Sequence, residues 1–358
     1  MTPEATNNFG NRLKLARKMA GMSLQELSDQ LENVVTKQAL NRYELGEMNP
    51  SSETLLAIAK VLGVKQDFFF KQYEIKLEGI EFRKRAGLSK KNEDSIVEKA
   101  REYVERYLEI ENILGIKNAF NNPLAEDLIH GDDDIKKVAE KLRVAWGLGT
   151  APIANVVELF ELNGIRVILI EDVDEVDGFA AVTSSGIPVI VVNTKDRYIE
   201  RIRFTVVHEA AHVLLKFAPA VLANKKLLEE LCHYFSSCFL LPQEILVKMM
   251  NGTKRPYIYI NELINIKEYA GISIRAIVHR CKKTEIITDS YYNRWMVYMS
   301  KTFGAKKEPG HYQGNERSTV LEQLVSRALA DEIISVSKAA ALCNVSINEI
   351  RKGFSGVN

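Results

Sequence analysis

The sequence predicts a multi-domain protein, with an all-α N-terminal domain, an α+β domain after it and a helical C-terminal region. Three observations predict this. The chain has 358 residues, a length that favours two or three domains. Residues 8–70 carry apolar positions at helical spacing between capping residues. Residues 166–193 hold short β-rich runs set between helical patterns, the order of an α+β domain.

The first eight residues are polar. Phe9, Leu13, Ala16 and Met19 or Ala20 then space as one helix. Ser23 begins a second, with Glu26 three positions on to complete a capping box. Thr36 caps a third, which runs through Glu44 and ends at Gly46. Pro50, Ser51 and Ser52 open a fourth, whose apolar stripe is Leu55, Leu56, Ile58, Ala59 and Leu62. Gly63 ends it, and Phe68, Phe69 and Phe70 close the unit. Ser23-Leu24-Gln25-Glu26-Leu27, Thr36 with Leu40-Asn41 and Tyr43-Glu44, Asn49-Pro50 and Leu62-Gly63-Val64 resemble the helix-turn-helix domain of the Xre/lambda-repressor class. The resemblance implies that the third helix enters the major groove, with Lys37, Gln38, Asn41 and Arg42 facing a DNA operator. Side-chain amides suit adenine, and Lys or Arg suits guanine or phosphate. The turn Glu32-Asn33-Val34-Val35 is about two residues longer than usual for the class. An interaction or dimerisation module that has lost DNA is the alternative.

Residues 71–130 read as a junction. Phe82 to Lys91 is a basic run, better explained as a solvated face than as a phosphate contact. Asn92 to Leu114 is a long amphipathic helix, a spacer or a surface for homodimer formation. Asn118 to Pro123 breaks it. The acidic residues Asp132, Asp133 and Asp134, after His130, suit the start of the next helix. Helices follow at 134–146 and 153–163, then strands at 166–170, 178–183 and 189–193. An edge strand of such a sheet can hold an extended peptide by strand addition, and the segment 178–192 is where it is expected.

The centre of the chain is His208-Glu209-Ala210-Ala211-His212 on an apolar helix. Positions i and i+4 share a helix face, so two imidazoles can reach one metal ion with Glu209 beside them as base. Two core histidines one turn apart are the alternative, but six histidines in the whole chain make that spacing rare by chance. A catalytic zinc takes three protein ligands and an open position. The next apolar helix, from Leu228 to Pro242, offers Glu229 or Glu230 as the third, and His233 sits one turn after Glu229.

Arg201-Ile202-Arg203-Phe204-Thr205-Val206-Val207-His208-Glu209-Ala210-Ala211-His212 and the downstream Glu229, Phe235, Phe239-Leu240-Leu241 and Pro242 resemble the ImmA/IrrE family of metallopeptidases. Trp146-Gly147-Leu148-Gly149, Val176-Asp177-Gly178-Phe179 and the run Pro188 to Asn193 fit the same pattern. The resemblance covers residues 130–300 and implies an α+β zincin-like fold. It implies that His208, His212 and Glu229 hold Zn2+ and that Glu209 is the base. Cys232-His233 stands where Ala-Asn is usual, Ser236-Ser237 where Ala-Ala is usual, and Ala211 where glycine is common. His233, Tyr234 and Arg203 are the candidates for second-shell support or for stabilising an oxyanion.

After Pro242 the pattern is helical again. The segment around Ala270-Gly271-Ile272-Ser273 has helix-turn-helix-like spacing, read as scaffold, and His279 reads as a partly buried histidine rather than a ligand. Residues 301–317 read as a loop or linker, and Ser335 and Ser346 open two short helices of a regulatory or contact element. The expected division is 1–75, helix-turn-helix; 76–130, helical linker; 131–260, peptidase; 261–305, its helical extension; and 306–358, the C-terminal element.

Composition bounds the function. A net charge of +1 gives no global pull towards nucleic acid or membrane, so DNA binding must come from a local patch. Four cysteines without a C-x-x-C pair indicate a reducing compartment, and Cys232 and Cys238 read as packing. The sequence has no signal peptide and no run of 18 apolar residues, so a cytoplasmic protein without a membrane partner is expected. The reading that follows is a zinc-dependent intracellular endopeptidase with a DNA-binding domain. By the resemblance its substrate is a repressor-type transcription regulator, cut in a stress, mobile-element or toxin-antitoxin-type response. The alternative is a DNA-binding regulator or antitoxin whose metal site is sensory or inactive.

Overall fold

The computed structural model describes residues 3–70, 75–84, 89–116, 120–171, 176–252, 254–304 and 307–354. In chain order it shows α1 (Pro3–Met19), α2 (Leu24–Gln30), α3 (Lys37–Glu44) and α4 (Ser52–Leu62), then a 3-10 turn at Gln66–Phe70. Strand β1 (Leu77–Lys84) and the long helix α5 (Lys90–Ile113) follow. Next come β2 (Leu128–Ile129), α6 (Asp132–Ala145), α7 (Val156–Leu162), β3 (Arg166–Ile170), β4 (Val176–Thr183) and β5 (Pro188–Asn193). The remainder is α8 (Ile199–Leu214), β6 (Lys216–Phe217), α9 (Pro219–Leu222), α10 (Lys225–Leu240), α11 (Gln243–Met249), α12 (Ile260–Ala270), α13 (Ile274–Lys283), α14 (Asp289–Phe303), α15 (Val320–Ala330), α16 (Val336–Leu342) and α17 (Ile347–Phe354). No helix among the described residues is long and apolar enough to cross a membrane.

Two compact units emerge, and they do not follow the linear division expected from sequence. The first combines residues 1–78, 84–118 and 321–358. The second holds 79–83 and 119–320. Residues 76–130 are therefore not one linker, and 306–358 is not one C-terminal element.

In the first unit the local signals act as the sequence predicts. Ser23 and Glu26 form a reciprocal capping box on α2, Thr36 caps α3 and Ser51 caps α4. Phe9, Leu13, Leu27, Leu40, Ile58 and Phe69 make the core of the four-helix domain. Glu32 and Asn33, in the long turn before α3, both adopt left-handed backbone, and Ser28 closes the turn through Val35 O at 2.7 Å. Helix α5 is more than a spacer. Arg12 of α1 pairs with its Glu105 at 2.5 Å, and Ser95 Oγ donates to Met19 O at 2.8 Å. Its Arg106 donates to Leu342 O at 2.8 Å, and Lys65 Nζ donates to Ala340 O and Val345 O at 3.1 and 3.0 Å. These donors cap carbonyls at the end of α16, which ties the terminal helices into this unit. Of the basic run Phe82 to Lys91, residues 85–88 lie outside those described, and Lys91 pairs with Glu26 at 2.7 Å.

The second unit is built on a sheet of order β1-β4-β5-β3. β4 pairs antiparallel with β5, Phe179 facing Val191, and β3 pairs parallel with β5, Ile168 facing Val191. β5 is buried along its whole length, as its unbroken apolar run requires. Both β4 and β5 are interior strands, so the expectation that the 178–192 segment offers a free edge is corrected: β1 covers β4. The helix α8 packs beneath β4 and β5, and α10 packs against α8 and α6. Residues 307–317 contain no regular element, as a loop should, yet they do not link domains. Glu308 accepts from the N–H groups of Ile274 and Arg275 at 2.7 and 3.1 Å, and Glu316 from those of Val156 and Val157 at 2.7 and 3.1 Å. Two carboxylates thus cap the starts of α13 and α7 and strap the segment down.

Candidate metal centre

The site forms where α8 crosses α10. Val206, Val207, Ala210 and Ala211 bury one face of α8, and the small side chains at 210 and 211 permit close approach. Its period then sets His208 and His212 one above the other. Asn224 caps α10 through Leu227 N at 3.1 Å, and the next turn delivers Glu229. His208 Nε2 and His212 Nε2 stand 3.2 Å apart, and Glu229 lies 3.4 Å from each. Among the described residues, these are the one set of three His, Cys, Asp or Glu side chains whose donor atoms lie within 4.8 Å of one another.

This spacing fits a metal. A tetrahedral zinc with bonds of about 2.0–2.1 Å separates its ligand atoms by about 3.3–3.4 Å. The donor chemistry, two imidazoles and a carboxylate, also suits zinc. The set is open on one side: His208 is fully buried, whereas the His212 and Glu229 side chains are 21% and 36% exposed. Glu230, the competing residue, points to solvent beside Lys226.

Glu209 is buried next to this set. A Cβ on Gly178 would lie 3.3 Å from Glu209 Cγ, 3.2 Å from Thr205 Cγ2 and 2.7 Å from Val191 O. Only glycine at 178 lets β4 pass this close to the glutamate. Asp177, its neighbour, takes Arg201 at 2.9 Å and Arg197 at 3.3 Å, which fixes β4 to the start of α8.

Of the three candidates for support, only His233 faces the site. Its ring lies 4.5 Å from that of His208 and stacks on Phe204 at 5.8 Å. Arg203 and Tyr234 are directed elsewhere. Each is five residues from a ligand, His208 or Glu229, and five residues turn a helix about 140° past a full turn. Arg203 is fully buried, ion-paired with Glu316, and donates to Ile153 O at 2.7 Å and Gly271 O at 3.1 Å, with Tyr312 stacked on it. A Cβ on Gly271 would sit 2.5 Å from Arg203 Nε, so the α12–α13 turn is shaped around this guanidinium. The helix-turn-helix-like spacing there serves the scaffold. Burial pushes the Glu316 carboxyl up, and Arg203 opposes that shift. Tyr234 is buried under Arg280 and Lys283, each 5.4 Å from its ring, and burial raises its phenol.

By sequence Cys232 reads as a packing residue. The structure brings its Sγ within 3.9 Å of His212 Nδ1, where it borders the ring that would carry the metal. The replacement of Ala by cysteine is the only sequence signal for it. Ser236 and Ser237, for the usual alanines, remain compatible with burial because their hydroxyls bond back to Cys232 O and Tyr234 O at 2.9 and 2.8 Å. Arg143 holds the Trp146–Gly149 turn to α10, donating to Phe239 O at 2.6 Å and Gly149 O at 2.8 Å; burial lowers its pKa to about 10. His279 lies against Tyr292 at 5.9 Å and outside the metal set.

Residues 161–282, which include His208, Glu209, His212 and Glu229, match the family described as the IrrE N-terminal-like domain, a peptidase family. Residues 13–69 match the helix-turn-helix family. The chain thus joins a stretch that matches the one family to a stretch that matches the other. A 63-residue stretch of the chain is 40% identical to the SPbeta prophage-derived uncharacterized HTH-type transcriptional regulator YonR of Bacillus subtilis (strain 168), covering 18% of this chain and 56% of that protein. Another 63-residue match, 35% identical, is to the uncharacterized HTH-type transcriptional regulator YqaE of the same organism, covering 18% and 53%. The chain spans about half the length of the curated relatives it matches. Lys37, Gln38, Asn41 and Arg42 are all exposed on α3, with 37 above 41 and 38 above 42 on adjoining rows. Arg17 clamps α1 to α3 through Glu44 at 2.6 Å, and Arg42 lies 3.5 Å from Glu47.

Proposed function

We propose that this protein is a zinc-dependent endopeptidase with its own DNA-binding domain, and that its substrate is a repressor-type transcription regulator. The observation that carries the reading is the mutual spacing of His208 Nε2, His212 Nε2 and the Glu229 carboxylate, 3.2–3.4 Å, with a buried glutamate next in sequence to the first. A structural zinc would be closed by a fourth protein ligand and would need no Glu209. Here the third ligand candidate is part-exposed, which leaves room for substrate.

Bound zinc would supply Lewis acidity, polarising a peptide carbonyl and acidifying water. Glu209 takes the proton of the attacking water and delivers it to the leaving amine. Burial of Glu209 against β4 keeps its carboxylate in one orientation for both transfers. His233, packed on His208, orients that imidazole and is the nearest candidate donor for the developing oxyanion.

The helix-turn-helix domain supports a setting next to DNA, in the cytoplasm. Its curated relatives are transcriptional regulators and one is prophage-derived, which favours a mobile-element context and a substrate of the same class. Lys37, Gln38, Asn41 and Arg42 are the residues we assign to the operator.

The test uses metal content and cleavage together. The purified full chain should hold about one zinc, and His208→Ala or Glu229→Ala should lose it while Glu230→Ala keeps it. Glu209→Gln should keep zinc and lower cleavage of a co-expressed repressor by a factor of about 10²–10⁴. Undiminished cleavage by Glu209→Gln would sink the catalytic assignment.

A further inference from the structure

Strand β1 comes from far upstream of the peptidase match, which begins at residue 161. It joins the sheet at one place only, the side of β4 that β5 leaves open. β4 is the strand whose Gly178 touches Glu209. A peptide paired to that side of β4 would run about 4.8 Å from it, one strand spacing from the strand that borders the candidate base. Residues 79–83 already fill this place.

The opening residues of β1, 77–80, are also lightly held. Glu78 and Gly79 are exposed, and Leu77 and Ile80 are only half-buried, whereas β5 is buried throughout. Gly79 has a φ of 68°, a left-handed residue inside a strand, with nothing within 4 Å of where a Cβ would stand. Such a glycine interrupts the ladder and weakens pairing. Where side chains are this little buried, main-chain pairing is what a second extended peptide could replace.

We propose that Gly79–Arg83 of β1 is an internal stand-in for the peptide substrate, seated on the edge of β4, the strand that borders Glu209, and that an incoming extended peptide must displace it. The inference rests on the peptidase reading for the meaning of the site, but docking itself needs no metal. The segment is therefore a built-in competitor that holds the site closed to weakly pairing chains.

The probe is a fluorescein-labelled synthetic peptide of residues 76–84, with binding read by anisotropy against the full chain in a Glu209→Gln background, so that cleavage cannot interfere. Ile80→Pro with Phe82→Pro removes two backbone donors from β1. If β1 occupies the edge at least nine-tenths of the time, freeing it tightens peptide binding by about tenfold or more. Equal affinity in the two proteins, or binding by neither, overturns the proposal. If circular dichroism shows the proline pair unfolded, replacing 77–84 by a Gly-Ser stretch of the same length makes the same comparison. Amide exchange on the unaltered chain gives a second reading: saturating peptide should speed exchange at 79–83, and unchanged protection there counts against displacement. Tight peptide binding by the freed variant, with no cleavage by any Glu209 protein, would leave the docking inference standing and sink the peptidase reading.

Discussion

Replacing Arg203 separates a structural role from a catalytic one. The guanidinium is fully buried, ion-paired to Glu316, and donates to the carbonyls of Ile153 and Gly271. Arg203→Met keeps much of the side-chain volume but leaves the Glu316 carboxylate buried without its cation. Breaking one partner of a buried pair costs about 3–5 kcal/mol. For a unit of this size each kcal/mol moves the melting midpoint by about 2–4 °C, so a fall of about 6–20 °C is expected. Both tryptophans, Trp146 and Trp295, lie in the second unit, so urea denaturation followed by tryptophan fluorescence reports that unit alone. Glu316→Gln on top of Arg203→Met should recover part of the loss, because the stranded charge is removed. Zinc content should be unchanged wherever the protein is folded. A destabilisation under about 1 kcal/mol, with cleavage lost in the folded protein, would refute this account and return Arg203 to the oxyanion.

Two further outcomes follow from other parts of the chain. Gln38→Ala with Asn41→Ala should weaken operator binding by about 1–3 kcal/mol per lost base contact, read by a titration at fixed salt, without altering cleavage; unchanged affinity would favour an interaction module. His279 is held below its ordinary value near 6.5, first by burial and then by Lys283 and Lys282. Its folded state binds a proton less readily than the unfolded chain, so the stability it contributes is present above pH 6.5 and is lost as pH falls below it. The second unit should therefore unfold at lower urea at pH 5.5 than at pH 7.5, and His279→Gln should flatten that difference; an unaltered slope in the variant would remove His279 from the account.

The sequence by itself determined the features that arise within a few turns of chain. The caps at Ser23, Thr36 and Ser51, the extent of α3, and the His208–His212 pair on one face all follow from hydrogen bonding and helical period over three or four residues. The family pattern added the candidate third ligand, and the same short-range logic could have told against Arg203 and Tyr234, since five residues do not share a helix face. The tertiary structure decided whatever depends on residues distant in sequence. That Glu229 rather than Glu230 reaches the histidines depends on how α10 packs on α8. That Cys232 borders His212, that Arg203 is buried on Glu316 113 residues away, and that α16 joins the first unit through Arg106 are contacts that no local period encodes. The placing of β1 on β4 belongs with them: strand partners are chosen by which edge is open once the rest of the sheet has formed, and that is a property of the assembled sheet.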